Sequence, residues 1–230
     1  MSENFSGKTV LVAGGTGGLG RAVAVSFLEA GANVIVTYRK QAEFDSLPKT
    51  RSLTGSVTDV TDENSVRALV ECTLAVHQKI DVLVNTVGGY TGGVKLWEAD
   101  ARVLENMLSL NLRSGYTLLR QIVPVMLQQN GGAIVNIAAK AALDHPAGAA
   151  AYAASKAAAL AMVGSLAADL KHTGVRVNSV LPSIIDTEAN RRAMPKADFT
   201  RWPKPAEIAR VILFLCSDEA RLIHGASIPV

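Results

Sequence analysis

Tyr152 and Lys156 are the two side chains of this 230-residue sequence whose types and spacing most directly suggest acid–base chemistry. They lie four residues apart in an alanine-rich segment, so a helix would place both on one face. A phenol has an ordinary pKa of about 10 and is a weak acid–base catalyst at neutral pH unless a nearby cation lowers that pKa. We therefore expect the Lys156 ammonium to lower the pKa of Tyr152, so that the phenol can exchange a proton with a substrate.

A glycine-rich segment near the N-terminus could bind phosphate. It reads AGGTGGLG over residues 13–20, between a predicted strand and a predicted helix. Glycines keep side chains away from a pyrophosphate, and a helix N-terminus offers N–H donors and the positive end of its dipole. The spacing fits GxGxxG through Gly15, Gly17 and Gly20, and it also fits GxxxGxG through Gly14, Gly18 and Gly20. Either pattern predicts a dinucleotide site.

The residues after the second predicted strand bear on which dinucleotide is bound. They read Tyr38-Arg39-Lys40, without the carboxylate that takes the ribose 2′-hydroxyl in NAD-binding units. A guanidinium suits a 2′-phosphate through paired, charge-assisted hydrogen bonds. We favour NADP as the cofactor, with Arg39 as its main determinant, and keep NAD as the alternative. In that alternative Arg39 and Lys40 are solvated surface charges.

The rest of the chain supplies the elements that must position these groups. Short apolar runs alternate with helical patterns, which is typical of a parallel sheet covered on both faces. We predict one doubly wound (Rossmann) α/β domain over residues 1–230, with a mostly parallel sheet of about seven strands. Strands are predicted at 10–13, 34–37, 51–57, 82–84, 133–138, 175–181 and 226–230. Helices are predicted at 19–29 with Gly31 as its C-terminal cap, 62–78 with Asp62 as its N-cap, 98–129 with an interruption at Pro124, 150–171 and 206–216.

Composition excludes several classes of function. A net charge of +3, from 23 basic and 20 acidic residues without a clustered basic stripe, argues against a nucleic-acid partner. Two cysteines and four scattered histidines suggest neither a disulfide framework nor a metal site. We see no export signal and no run of about 20 apolar residues, so we expect a cytoplasmic protein without a membrane partner.

Further motifs follow the order and spacing of one family. They are the glycine loop, Asp59-Val60, Asn85-Thr86-Val87-Gly88, Asn111, Tyr152 with Lys156, and the NSVLP segment at residues 178–182. On these motifs the whole chain resembles the short-chain dehydrogenase/reductases. The resemblance implies an NAD(P)-dependent oxidoreductase acting on a small-molecule substrate. It also implies a homodimer or homotetramer, which the alanine-rich segment 138–168 would suit.

The resemblance also implies a role for each motif. Tyr152 would give or take the substrate proton, Lys156 would hold the nicotinamide ribose, and Asn111 would support a water-linked proton path; these three are the predicted catalytic residues. The predicted cofactor-binding residues are Gly14, Thr16, Gly18, Leu19, Gly20, Tyr38, Arg39, Asp59, Val60, Asn85, Gly88, Lys156, Pro182, Ile185 and Thr187. Some have plainer readings, because Asp59 could be a turn residue, Asn111 an ordinary polar group of a helix, and Thr187 a helix cap.

Ala139 is the main departure from the family pattern. The family's catalytic serine lies thirteen residues before the tyrosine, and that position carries Ala139 here. Loss of one preorganised donor to a developing oxyanion typically costs about 100-fold to 1,000-fold in rate. Either the hydride acceptor needs less polarisation than a ketone, or the protein does not catalyse. The glycine that usually follows Pro182 is also replaced, by Ser183.

Within the family, segments 87–93, 139–144 and 180–202 resemble dihydropteridine reductase, a group that also lacks the serine and reduces a quinonoid dihydropterin. That resemblance implies hydride transfer to an activated acceptor of this kind, although Arg39 stands where the group carries an acidic residue. Two alternatives are an ordinary ketone or 3-oxoacyl-type reductase without the serine, and a non-catalytic NADPH-binding regulator. The substrate loops would be residues 88–97, 139–151 and 183–204, in which Tyr90, Trp97 and Trp202 either stack on a flat substrate or pack beneath a loop.

Overall fold

The strands form from short aliphatic and β-branched runs, as expected for a sheet buried on both faces. In residues 4–230, which the computed structural model describes, seven parallel strands make one sheet in the order β3-β2-β1-β4-β5-β6-β7. The predicted doubly wound fold is therefore confirmed. The strands are β1 (Thr9–Ala13), β2 (Asn33–Tyr38), β3 (Leu53–Val57), β4 (Val82–Asn85), β5 (Gly132–Ile137), β6 (Val175–Leu181) and β7 (Ser227–Pro229).

The helices connect successive strands, and their caps follow the sequence. Asp62 accepts a hydrogen bond from the Ser65 backbone N–H at 2.7 Å, and Gly31 takes a φ of +88° just after the first helix. Three short helices, α2, α6 and α8, were not predicted. The α-helices of residues 4–230 are α1 (Gly18–Glu29), α2 (Gln41–Asp45), α3 (Glu63–His77), α4 (Ala101–Leu108), α5 (Ser114–Gln128), α6 (Ala141–Asp144), α7 (Ala150–Asp169), α8 (Glu188–Ala193) and α9 (Pro205–Cys216).

Two apolar layers hold the helices on the sheet. Successive side chains of a strand point to opposite faces. Val10 and Val12 of β1 accordingly pack with α1 and α9, whereas Leu11 and Ala13 pack with α3, α5 and α7. The order of connection reverses between β1 and β4, so helices leave these two neighbouring strands on opposite faces. A crevice opens there at the carboxyl ends of the strands, which is where ligands bind in sheets of this type.

The interruption expected at Pro124 is wrong. Pro124 lies inside the continuous helix α5, where its neighbours Ile122 and Met126 are fully buried. Their packing holds the helix together despite the one backbone hydrogen bond that a proline cannot donate. The break occurs earlier, in a π-helical turn at Ser109–Arg113 that separates α4 from α5 and contains Asn111. Such turns are frequent at functional sites.

The helix α7 corrects the expectation that the chain has no long apolar run. By length and composition alone it could cross a membrane, because its many alanines make it apolar. One face of α7 is packed inside the domain, with Ala153, Ala159 and Val163 buried beside the polar Ser155 and Lys156. The helix therefore contributes to the core, and it also carries both predicted acid–base side chains.

Candidate active site

The glycine loop joins β1 to α1 and leaves room for a ligand at the helix N-terminus. Gly14 has a φ of +76°, which favours glycine, and a β-carbon on Gly20 would collide with the carbonyl oxygen of Gly14. A β-carbon on Gly18 would lie 2.7 Å from Cγ2 of Thr187. A β-carbon on Gly15 would lie 2.4 Å from Cγ1 of Val36, so glycines of both predicted spacings are required by close packing.

The N-terminus of α1 is open to an anion. Its N-cap Gly17 provides no side-chain acceptor, so within residues 4–230 no side chain caps the first backbone N–H groups of the helix. The Leu19 side chain turns away into the core, which leaves only its backbone N–H for a ligand. These N–H groups and the helix dipole suit a pyrophosphate.

A cleft of about 480 Å³ runs from this loop along the carboxyl ends of β1, β2 and β4. The predicted residues that line it are Gly14, Thr16, Tyr38, Arg39, Asp59, Val60 and Gly88. A β-carbon on Gly88 would lie 2.8 Å from Oδ1 of Asn111 and 2.9 Å from Nζ of Lys156. Only glycine therefore allows the backbone at this position to lie so close to both side chains. The loop, the open helix end and this cleft together fit a dinucleotide.

Asp59 and Arg39 face one another across the far end of the cleft. Oδ1 of Asp59 accepts hydrogen bonds from both the backbone N–H and the hydroxyl of Thr61, at 2.9 and 2.7 Å. These bonds, with a smaller contribution from the Arg39 guanidinium, lower the pKa of Asp59 below its ordinary value. Asp59 is thus a turn residue, one of the two roles expected from the sequence, and it also lines the cleft.

Tyr152 is half-buried on α7, with its ring against Tyr90. The two ring centroids are 4.9 Å apart in an edge-to-face arrangement. Burial, with a smaller contribution from Tyr90, raises the pKa of Tyr152 above its ordinary value. The expected lowering by Lys156 is therefore wrong for this structure, in which burial of the phenol dominates. With its pKa raised in this way, the Tyr152 phenol is protonated at neutral pH.

Lys156 is one turn further along α7 and is buried, with only 5% of its surface exposed. Its Nζ donates a hydrogen bond to the Ile137 carbonyl oxygen at 3.0 Å, at the end of β5. Burial lowers the pKa of Lys156 to about 8. Most Lys156 side chains are consequently still charged at pH 7, and the cation is held at the floor of the crevice.

Asn111 fastens the loop after β4 to the helix that carries Tyr152. Its side-chain amide accepts a bond from the Gly89 N–H at 3.0 Å and donates to the Gly89 carbonyl at 3.1 Å and to the Ser155 hydroxyl at 3.0 Å. Ser155 in turn donates to the Tyr152 carbonyl oxygen at 2.8 Å. This bonding makes Asn111 a positioning residue for Tyr152 and Gly89, while its part in a proton path stays a prediction.

The other predicted cofactor residues hold the walls of the crevice. Asn85 is buried and bonds to Asn136 and to the Val87 N–H, so its side chain supports the cleft from below. Thr187 caps α8 by accepting from the Asn190 N–H at 3.2 Å, while its methyl group lies against the glycine loop. Pro182 is buried after β6, and Ile185 lies between it and Thr187 on the same loop.

Ala139 lies just beyond β5, two residues after the carbonyl that holds Lys156. It is buried, with 6% of its surface exposed, and the chain places no hydroxyl at this position. Among the loop aromatics, Tyr90 and Trp97 are 64% and 78% exposed, whereas Trp202 packs on Phe199 with the ring centroids 4.9 Å apart. Tyr90 therefore lies beside the predicted proton donor, whereas Trp202 packs within its own loop.

Sequence reasoning missed three groups of the site. The Ile137 carbonyl cannot be predicted from residue type, since any residue at position 137 would supply it. Ser155 was detectable, because it follows Tyr152 by three residues and therefore shares its face of the helix. Glu43 lines the same cleft from α2, a helix too short for its periodicity to be read.

Comparisons with known proteins agree on one family. The family model for short chain dehydrogenases matches residues 8–198. The 3-oxoacyl-[acyl-carrier-protein] reductase of Thermotoga maritima is 32% identical over 239 residues, covering 98% of this chain and 97% of the relative. The 7alpha-hydroxysteroid dehydrogenase of Escherichia coli is 30% identical over 245 residues, covering 100% and 95%. A crystal structure of a short-chain dehydrogenase/reductase from Burkholderia xenovorans is 34% identical, with a TM-score of 0.87 and coverage of 99% and 96%.

Proposed function

From its membership of the short-chain dehydrogenase/reductase family, which makes it an NAD(P)-dependent oxidoreductase, we propose a specific reaction for this chain. It uses NADPH to reduce an activated acceptor such as a quinonoid dihydropterin. One observation carries the choice of acceptor. Ala139 stands buried where the family has its serine, while Tyr152 and Lys156 are both in place. The chain thus keeps its proton donor and lacks the second hydroxyl that polarises a carbonyl.

The chemistry of the acceptor explains how the enzyme could work without that hydroxyl. A quinonoid ring is electron-poor and gains aromatic stabilisation when it accepts hydride, so little negative charge has to be stabilised on one oxygen. A ketone places a full developing oxyanion on its oxygen and depends on preorganised donors. The missing serine therefore costs a quinonoid acceptor much less than it costs a ketone.

The residues of the chain divide the work around the bound cofactor. When bound, the dinucleotide supplies the hydride. Tyr152, protonated at neutral pH, donates the proton that balances it. The Lys156 ammonium, held at the Ile137 carbonyl, would bind the nicotinamide ribose. Asn111 and Ser155 position the helical turn that carries Tyr152. The exposed rings of Tyr90 and Trp97 offer flat apolar surfaces for the acceptor.

An ordinary 3-oxoacyl or ketone reductase is the second candidate. It is supported by the printed activity of the 32% identical relative from Thermotoga maritima. The ratio of kcat/KM for a quinonoid dihydropterin to that for a 3-oxoacyl thioester separates the two functions, because only the thioester needs the missing hydroxyl.

We further propose a cytoplasmic homodimer or homotetramer that acts on a small molecule and has neither a nucleic-acid nor a membrane partner.

Arg39 carries the proposed preference for NADPH. We expect Arg39→Asp to lower the ratio of kcat/KM with NADPH to kcat/KM with NADH by about tenfold or more, since a guanidinium that pairs with the 2′-phosphate becomes a repelling carboxylate. Steady-state rates with each cofactor measure this ratio. Lys49→Asp, which makes the same change at an exposed position outside the cleft, serves as the control. An unchanged ratio in Arg39→Asp would show that Arg39 is a bystander.

A further inference from the structure

A carboxylate lies in the wall of the nucleotide cleft even though the end of β2 carries none. Glu43, on α2, lines the cleft together with Gly14, Thr16 and Arg39. Its Oε2 accepts a hydrogen bond from the Thr16 hydroxyl of the glycine loop at 3.1 Å. The carboxylate is therefore directed toward the loop that would hold the pyrophosphate.

The backbone around Glu43 is fixed on two sides. The Tyr38 ring at the end of β2 stacks on Phe44, with the ring centroids 4.8 Å apart and the planes at 9°. Arg21 of α1 donates to the carbonyl oxygen of Ser46 at 2.9 Å, just beyond α2. Since β2 and α1 both hold this short helix, the backbone that carries Glu43 has a defined position beside the cleft.

The charges at this end of the cleft are balanced. Glu43 forms an ion pair with Lys40 at 3.6 Å, in which both side chains are largely exposed, so the pair is weak. Arg39 is near Asp59 on the other wall. Arg39, Asp59 and Glu43 line the cleft and Lys40 is paired with Glu43, so a phosphate placed there would meet repulsion as well as attraction.

We propose that Glu43 determines cofactor selectivity. Its carboxylate accepts a hydrogen bond from a hydroxyl of the adenosine ribose of NAD(H), and it repels the 2′-phosphate of NADP(H). The proposal rests on the proposed cofactor site. In it, the Glu43 carboxylate limits the preference for NADPH that Arg39 provides. Carboxylates at this end of a dinucleotide site commonly bind ribose hydroxyls. The chain would accordingly use NADH as well as NADPH.

Glu43→Gln tests this role by removing the charge while keeping the shape and the acceptor oxygen that binds Thr16. Isothermal titration with 5′-AMP and with adenosine 2′,5′-bisphosphate measures nucleotide binding without any turnover. We expect the affinity for the bisphosphate to rise about fivefold or more in the variant, because a like charge is removed. The affinity for 5′-AMP should stay the same or fall. An equal change for both nucleotides, or no change for either, would overturn the proposal.

Asp45→Asn is the matched control. Asp45 lies on the same helix, accepts a bond from Gln41 at 2.9 Å and does not line the cleft. The same gain in bisphosphate affinity in this control would trace the effect to overall charge and would also overturn the proposal. If wild-type protein binds neither nucleotide, the proposed cofactor site itself fails. If wild type binds both and Glu43→Gln leaves their ratio unchanged, only the role of Glu43 fails.

Discussion

Tyr152→Phe is expected to lower kcat/KM for NADPH-dependent reduction of a quinonoid dihydropterin by about 100-fold or more, the range typical of a lost general acid. The variant loses only the hydroxyl, because phenylalanine keeps the ring that packs edge-to-face on Tyr90. The fold should be unaffected, since neither the bond that Asn111 donates to Ser155 nor the bond that Ser155 donates to the Tyr152 carbonyl uses the phenol. The loss should therefore appear in kcat and not in the affinity for nucleotide.

Tyr116→Phe supplies the control for this experiment. Tyr116 is an exposed tyrosine on α5, outside the crevice, and its loss of a hydroxyl should leave the rate within about twofold of wild type. Nucleotide titration of both variants shows whether the cleft is intact. If Tyr152→Phe reduces the pterin as fast as wild type, Tyr152 is not the proton donor and the proposed mechanism fails.

Ala139→Ser should act in the opposite direction, and on one acceptor class only. Restoring a hydroxyl at the end of β5 should raise kcat/KM for a 3-oxoacyl thioester by about 100-fold, because one oxyanion donor is typically worth that much. Reduction of a quinonoid dihydropterin should change by less than about threefold. The site is buried, so the melting temperature must be measured as well, to separate a catalytic effect from the cost of burying a hydroxyl.

Ala138→Ser is the neighbouring control for that variant. Ala138 is also buried, and its backbone N–H is used in the sheet by the Val180 carbonyl oxygen. A serine there adds the same hydroxyl one residue away from the position that the family's serine occupies. If Ala139→Ser leaves thioester reduction unchanged, or if Ala138→Ser raises it equally, the absence of the serine does not explain the choice of acceptor.

The fold could be predicted because its signals are local and redundant. Near-continuous apolar strands, the Asp62 cap and Gly31 each indicate the same alternation of strands and helices, and the structure has them where they were expected. Pro124 misled the prediction because a proline weakens a helix only by one bond and some crowding, which core packing by Ile122 and Met126 offsets. Such packing is not visible in a local pattern.

The site was predictable in its residue types and less so in its electrostatics. Spacing on a helix brings Tyr152 and Lys156 to one face. It cannot reveal that burial raises the pKa of the phenol, or that the Lys156 ammonium donates to the Ile137 carbonyl. Glu43 was missed for a related reason. Its place in the cleft depends on the Tyr38–Phe44 stack, a contact that holds a short helix over the end of β2.

The acceptor preference of the wild-type enzyme tests the central claim most directly. Initial rates of NADPH oxidation should be measured at one pH with a quinonoid dihydropterin and with a 3-oxoacyl thioester, each over a range of concentrations. We expect kcat/KM for the quinonoid dihydropterin to exceed that for the thioester by about 100-fold, the cost of the missing donor. An equal or higher value for the thioester would contradict the account and identify an ordinary carbonyl reductase.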